Sequence, residues 1–341
     1  MLAEMASAEA HREPRGSRHL LRALRYRNYR LFIGGQLVSL TGTWIQQVAM
    51  SWLVYRLTNS ALFLGLVGFA GQIPTLLLTP LVGIVADRFS RRRILLIAQA
   101  LAMAEAFVLA GLTLRQIIAP WHILLLSGFL GLANALDAPT RQAFVVEMVE
   151  RREDLGNAIA LNSAMFNGAR LVGPALAGVL IPTVGEGVCF LLNGVSYLAV
   201  IGALLVMRGQ RRAAAHPDTA FLAGARDGFA CAFGFPPIRA VILLLGWVSL
   251  VGTPYFILMP VLARDVLNGN AATLASLTAA SGVGALAAAL YLAASRSVIY
   301  FGRLIAWSAG AFGLGLVLLA LSENLWVAML LVLLTGAAFM L

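Results

Sequence analysis

Long apolar runs separated by short polar or arginine-bearing stretches fill the chain from residue 31 onward. A helix that crosses a bilayer needs about 20 apolar residues at about 1.5 Å rise each. On that measure the runs predict helices near 31–54, 60–86, 94–114, 120–146, 155–181, 185–207, 240–263, 272–294, 303–321 and 324–341, an all-α polytopic membrane protein of ten spans. Only the connection at 208–238 is long. Within it Phe221, Leu222, Ala225, Phe229, Ala232 and Phe233 recur at a spacing that suits an amphipathic helix on the membrane surface. A partly ordered linker fits the same residues.

Composition agrees with the pattern. Hydrophobic residues make up 60% of the chain and charged residues 12%, against about 45–50% and about 25% in soluble domains. All 25 basic residues are arginine, and the net charge is +10. Twenty arginines fall in the leading tail and the connections on the same side of the membrane, and only Arg56, Arg115 and Arg264 on the other. The positive-inside rule then puts the N-terminus in the cytoplasm and the protein in the cytoplasmic (inner) membrane. Dispersed in short loops, these arginines form no basic face with interleaved aromatics, which speaks against nucleic acid.

Other chemistry finds little purchase. Cys189 falls in a span and Cys231 in a connection on the cytoplasmic side, so a disulfide between them is not expected. The polar tail 1–28 is not followed by the short apolar core of a cleaved signal. His11, His19, His122 and His216 lie outside the apolar runs or at their ends, and no His/Cys cluster has metal-ligand spacing. A phosphate-binding Gly-x-x-x-x-Gly-Lys loop needs a lysine the chain lacks, so neither ATP binding nor enzyme activity is expected.

Between the second and third runs stands Gly83-Ile-Val-Ala-Asp87-Arg88-Phe-Ser-Arg91-Arg92-Arg93. This resembles the signature loop of the major facilitator superfamily, with Ser90 where glycine is usual. A weak internal repeat accompanies it: Asn28-Tyr29-Arg30 corresponds to Pro237-Ile238-Arg239, and Arg93-Ile94 to Arg303-Leu304. Parallel repeats are the mark of the two halves of such proteins. The resemblance implies a tail at 1–28, a six-helix bundle at 29–207, a linker at 208–238 and a second bundle at 239–341 with four of its usual six helices. Gln36-Leu-Val-Ser-Leu-Thr-Gly-Thr-Trp44-Ile-Gln46-Gln47 and Asn134-Ala-Leu-Asp137-Ala-Pro139-Thr-Arg141 resemble the siderophore-exporter and macrolide-efflux branch. Gly173-Pro174-x-x-x-Gly178 resembles the fifth-span motif of exporters and antiporters, where proline and small residues permit close approach and a kink.

Charges inside spans are costly, about 2.5–3.5 kcal/mol each on insertion scales, and each asks for a reason. Glu105, midway along the third span among Met103, Ala104, Ala106 and Phe107, is the proton-carrier candidate, with Asp137 the alternative. Asp137 and Arg141 share a helix face; they form either a local pair or, with Asp137 facing Arg91, part of a gate with Gly83, Asp87, Arg88 and Arg92. Arg170 is expected to face the cavity and meet an anionic substrate group, Glu105 or asparagine side chains. Asn162, Asn167, Gln36, Trp44, Gln46 and Gln47 are candidates for the cavity wall, though Trp44 suits core packing equally. The resemblance implies export of amphipathic siderophore- or macrolide-like molecules, driven by protons without a cofactor. Import of another solute, or a scaffold or sensor without transport, are the alternatives.

Overall fold

The computed structural model describes residues 22–88, 90–149, 151–208, 233–294 and 301–341. The side chains of Gly83, Asp87 and Arg88, Cys231 and most of the helix expected at 221–235 lie outside the described part. Among the described residues the chain is helical without strands: α1 (Arg27–Thr58), α2 (Ala61–Arg88), α3 (Arg91–Leu114), α4 (Pro120–Met148), α5 (Arg152–Val206), α6 (Pro236–Ile257), α7 (Ala271–Ala294), α8 (Phe301–Ala320) and α9 (Leu325–Met340). Five stretches on these helices are long and apolar enough to cross a membrane: Ala61–Thr79, Arg91–Leu114, Pro120–Met148, Glu153–Val206 and Ala271–Leu292.

Local chemistry sets the boundaries. The left-handed Asn59 (φ 47°) closes α1 with its N–H on the Tyr55 carbonyl, as helix ends in that conformation do. Pro120, whose missing N–H costs nothing at a helix start, opens α4, and the Ala119 N–H donates to His122 Nδ1 at 3.0 Å. Asn324 caps α9 by accepting from the N–H of Trp326 at 2.9 Å.

The break expected between the runs 155–181 and 185–207 falls at Gly185 (φ 80°, ψ 169°), which divides α5 into two helical arms. That conformation is open to glycine and strained for other residues. One boundary differs from the sequence reading. The helix expected over 240–263 ends at Ile257 and continues as a helical turn, Met259–Val261, and a π turn, Leu262–Val266. Pro260, which cannot donate to the ladder, lies within this change.

Short connections make the helices alternate in direction. One end of the bundle, the basic end, carries the starts of α1 and α3 and the ends of α2, α4 and α5; Asn59 and Gly185 mark the far end. The first arm of α5 (152–184) lies between α1 and α7. A Cβ on Gly173 would sit 2.9 Å from the Thr41 carbonyl oxygen of α1, and one on Gly282 of α7 equally close to the carbonyl oxygen of Arg170. The small residues expected in the fifth-span motif therefore serve close packing on both flanks. Gly173→Val, which forces side-chain atoms into α1, is expected to lower stability by about 1–3 kcal/mol, read as a lower unfolding temperature in detergent.

The two apolar cores differ in what they join. At the far end Val54, Tyr55, Ile123 and Phe190 share one core with Met259, Leu274 and Val332 of the second half. At the basic end Tyr29, Phe32, Leu95, Phe144 and Leu204 form a core drawn wholly from the first half. The halves meet at the far end and part at the basic end.

Candidate translocation site

Where the halves part, a cavity of about 660 Å³ opens between α4, the first arm of α5 and α9. Asn162, Met165, Phe166, Asn167, Arg170 and Phe339 are among its lining residues. Arg170 is 8% exposed. Its guanidinium donates to Ser281 Oγ of α7 at 3.2 Å and lies 4.8 Å from the ring centre of Phe256 and 5.7 Å from that of Trp44. Its Nε has no hydrogen-bond partner, and among the described residues no carboxylate pairs with it. The expected contact with Glu105 is absent. Asn167 turns back on its own helix, donating to the Ser163 carbonyl at 2.9 Å. A desolvated cation held between aromatic faces gains from their quadrupoles but retains unused donors. Trp44, half-buried, packs edge-on to Phe166 at 6.0 Å.

Glu105 lies inside the first bundle, 1% exposed, and does not line this cavity. Its Oε2 accepts from Gln46 Nε2 at 2.8 Å, and Gln46 Oε1 accepts from Asn193 Nδ2 at 2.8 Å. Ser196 Oγ donates to the Asn193 carbonyl at 2.8 Å. Helices α1, α3 and the second arm of α5 are thus joined by one buried polar chain. Gln46 belongs to this chain instead of the large cavity, and Gln47, one residue on, is exposed. Asn193, Ser196 and Tyr197 were not among the sequence candidates. Their only signal is three polar groups within five residues of the sixth run, which is apolar from Val188 to Leu192 and from Leu198 to Met207.

At the basic end the charges pair differently from the gate expectation. Arg91 binds Glu147 at 2.7 Å and the Ala143 carbonyl at 3.2 Å, tying α3 to α4. Asp137 is instead held by its neighbour Arg141 at 3.3 Å and accepts from Gln99 at 2.7 Å. The local pair is present because four residues bring the two side chains onto one face, whereas Glu147 sits at the end of α4 level with Arg91. Arg92 donates to the Leu205 carbonyl at 2.9 Å, fixing α3 against the end of α5. Tyr26 and Arg25 both reach Asp154, and Tyr29 donates to the Ala158 carbonyl at 2.8 Å.

The far end is fastened across the halves. Tyr55 donates to Asp265 of the π turn, and Arg264 donates to Asn59 Oδ1 at 2.8 Å while lying over the Tyr55 ring. Within the first half Arg56 pairs with Glu186 at 3.1 Å. A cavity open at one end and fastened at the other, with buried charge between, is an arrangement that suits a membrane transporter.

Similarity to known proteins agrees. A family model described as transmembrane secretion effector, of the major facilitator type, matches residues 20–341, and the chain belongs to that family. It is a multi-pass membrane transporter and not an enzyme. It is 26% identical over 293 residues to the staphyloferrin A transporter of Staphylococcus aureus, covering 84% of this chain and 72% of that one. It is 24% identical over 260 residues to macrolide efflux protein A of Streptococcus pyogenes, covering 72% of this chain and 62% of the relative, so the chain spans less than two thirds of that protein's length. A solved D-xylose–proton symporter superposes with a TM-score of 0.68 at 15% identity, over 92% of this chain and 80% of that one, a likeness of fold alone.

Proposed function

We propose that the protein is a proton-coupled exporter of amphipathic small molecules, working by alternating access in the cytoplasmic membrane with its N-terminus inside. The observation that carries this reading is the pairing of an apolar-walled cavity holding a buried cation, Arg170, with a separate buried acid, Glu105, in the same bundle. A scaffold has no use for either, and each is expensive in a membrane. Large apolar walls with a few fixed polar groups suit an amphipathic ligand; here Phe166, Met165 and Phe339 supply the first and Asn162, Asn167 and Arg170 the second. Ten crossings in two bundles, joined by the 208–238 connection, give the arginine-rich end its cytoplasmic position, so the cavity opens to the cytoplasm.

In this reading Glu105 loads a proton when the site faces outward and releases it when the site faces inward, in exchange for substrate. Pairs such as Arg91 with Glu147, and the Asp137–Arg141 pair, belong to the cytoplasmic gate together with the loop of Gly83, Asp87, Arg88 and Arg92. The name of one relative, macrolide efflux protein A of Streptococcus pyogenes, supports the outward direction. The test is efflux of a fluorescent amphipathic dye from cells making the protein, with and without a protonophore: equal efflux in both would remove the proton from the mechanism.

Arg170 sets a preference among substrates. Its free donors favour ligands bearing an oxyanion, since hydrogen bonds to charged groups are worth about 1.5–3 kcal/mol. Arg170→Gln is expected to lower transport of a carboxylate-bearing dye about tenfold or more relative to its neutral amide, measured as the ratio of the two initial rates.

A further inference from the structure

Glu105 poses a problem for any proton carrier: it is 1% exposed and walled off from the large cavity. A second, smaller cavity lies beside it. About 60 Å³ in volume, it lies between α1, α3, α4 and the second arm of α5, and Gln36, Thr43, Gln99, Ala102, Asp137 and Tyr197 are among the residues around it. A water molecule needs about 10–15 Å³ of such space and two to four polar partners, so the chamber accommodates roughly four. Polar partners are present: Gln36 Nε2 and Gln99 Oε1 are buried without a hydrogen-bond partner, and Gln36 is 1% exposed.

Both ends of the chamber lead somewhere. Ala102 on its wall lies three residues, about one helical turn, from Glu105 on α3. The Tyr197 hydroxyl, 3.4 Å from Thr43 Oγ1, stands one turn beyond Asn193, the residue that holds Gln46 against Glu105. At the opposite end Arg141 lines this chamber and the large cavity alike, with Asp137 bound to it. The charged and titratable groups here are therefore Asp137 and Arg141 from α4, Tyr197 from α5 and Glu105 from α3. Helix α1 presents only the neutral Gln36, Thr43 and Gln46.

We propose that this chamber is a water-holding proton passage between Glu105 and the large cavity, with the Asp137–Arg141 pair as its door and the hydroxyls of Thr43 and Tyr197 as its inner end. The proposal rests on Glu105 being the proton carrier. With the cavity open to the cytoplasm, the proton released by Glu105 passes along the hydroxyl chain, each hydroxyl handing one proton on as it receives another, crosses the chamber water to the Asp137 carboxylate and leaves into the cavity. No proton is gained or lost in the passage. The arrangement ties proton release to the cavity the substrate occupies, because Arg141 lines both.

The test is infrared spectroscopy of the purified protein after a pH jump, with the Glu105 carboxyl band isolated as the difference between the wild type and Glu105→Gln. The wild-type band is expected to follow the jump. In Tyr197→Phe/Thr43→Val it should respond at least about tenfold more slowly to an unchanged end point, while Thr43→Ser alone keeps the wild-type rate. Asp137→Asn should slow it likewise. A merely structural role would move the end point or the unfolding temperature and leave the rate alone. Wild-type rates in both the double variant and Asp137→Asn would overturn the passage and leave the carrier standing. A wild-type Glu105 band that ignores pH would overturn the carrier, and the passage with it.

Discussion

Glu105→Gln is expected to abolish the dependence of export on the proton gradient while leaving the protein folded. Glutamine keeps the volume of the side chain and can still accept from Gln46 Nε2, so the buried chain from α3 through α1 to Asn193 persists. What disappears is the group that can carry a proton. Wild-type efflux should accelerate as the outer solution becomes more acidic, since protons then run inward through the carrier. In the variant the rate should be flat with pH, and substrate should only equilibrate, never move uphill. The unfolding temperature should change little, because the bond from Gln46 is kept and the amide nitrogen replaces an oxygen, Oε1, that already lacks a partner. An unchanged pH profile at equal expression would move the proton to Asp137.

Loosening the far end should shift the conformational balance by an order of magnitude. Tyr55 and Arg264 reach across the halves to Asp265 and Asn59, and these bonds exist only while that end is closed. Hydrogen bonds involving a charged partner contribute about 1.5–3 kcal/mol each, and a conformational equilibrium moves by the differential interaction energy of its two states. Tyr55→Phe with Arg264→Gln is therefore expected to raise the population open at the far end at least about tenfold. Ile257, whose side chain packs on Gly68 of α2, offers a reporter. A cysteine there, in a chain whose own two cysteines are replaced, should react with a maleimide about tenfold faster when Tyr55 and Arg264 are changed. Equal labelling rates would mean the clasp does not hold that end shut.

Much of this fold could be read from hydropathy because a membrane makes the rule strict: a span must be long, apolar and helical to satisfy its backbone. Starts and ends fell within a few residues for α1 to α4 and α7 to α9. The exception is a backbone event without a hydropathy signature: α6 gives way to a π turn in the run expected to continue to 263.

The site was legible one residue at a time and illegible in its pairings. Glu105 and Arg170 stood out as charges in apolar runs, and the structure buries both. Their partners come from helices distant in the chain: Asn193 reaches Gln46 across 147 positions, and Ser281 reaches Arg170 across 111. Nothing in the spacing of Asp137 and Arg91 tells that Glu147 is the better placed acid; that depends on the level at which α3 and α4 cross. Asp137 and Arg141 were readable as a pair because an i,i+4 relation is local.

Uphill movement of substrate under an imposed proton gradient is the most direct measurement of the central claim. Liposomes containing the purified protein in known orientation would be loaded with a fluorescent amphipathic carboxylate at equal concentration on both sides, and a pH step applied across the membrane. Proton-coupled export predicts net dye movement against the direction of the proton gradient, reversing when the step is reversed and vanishing with a protonophore. Dye fluxes that are the same with and without the step would contradict it.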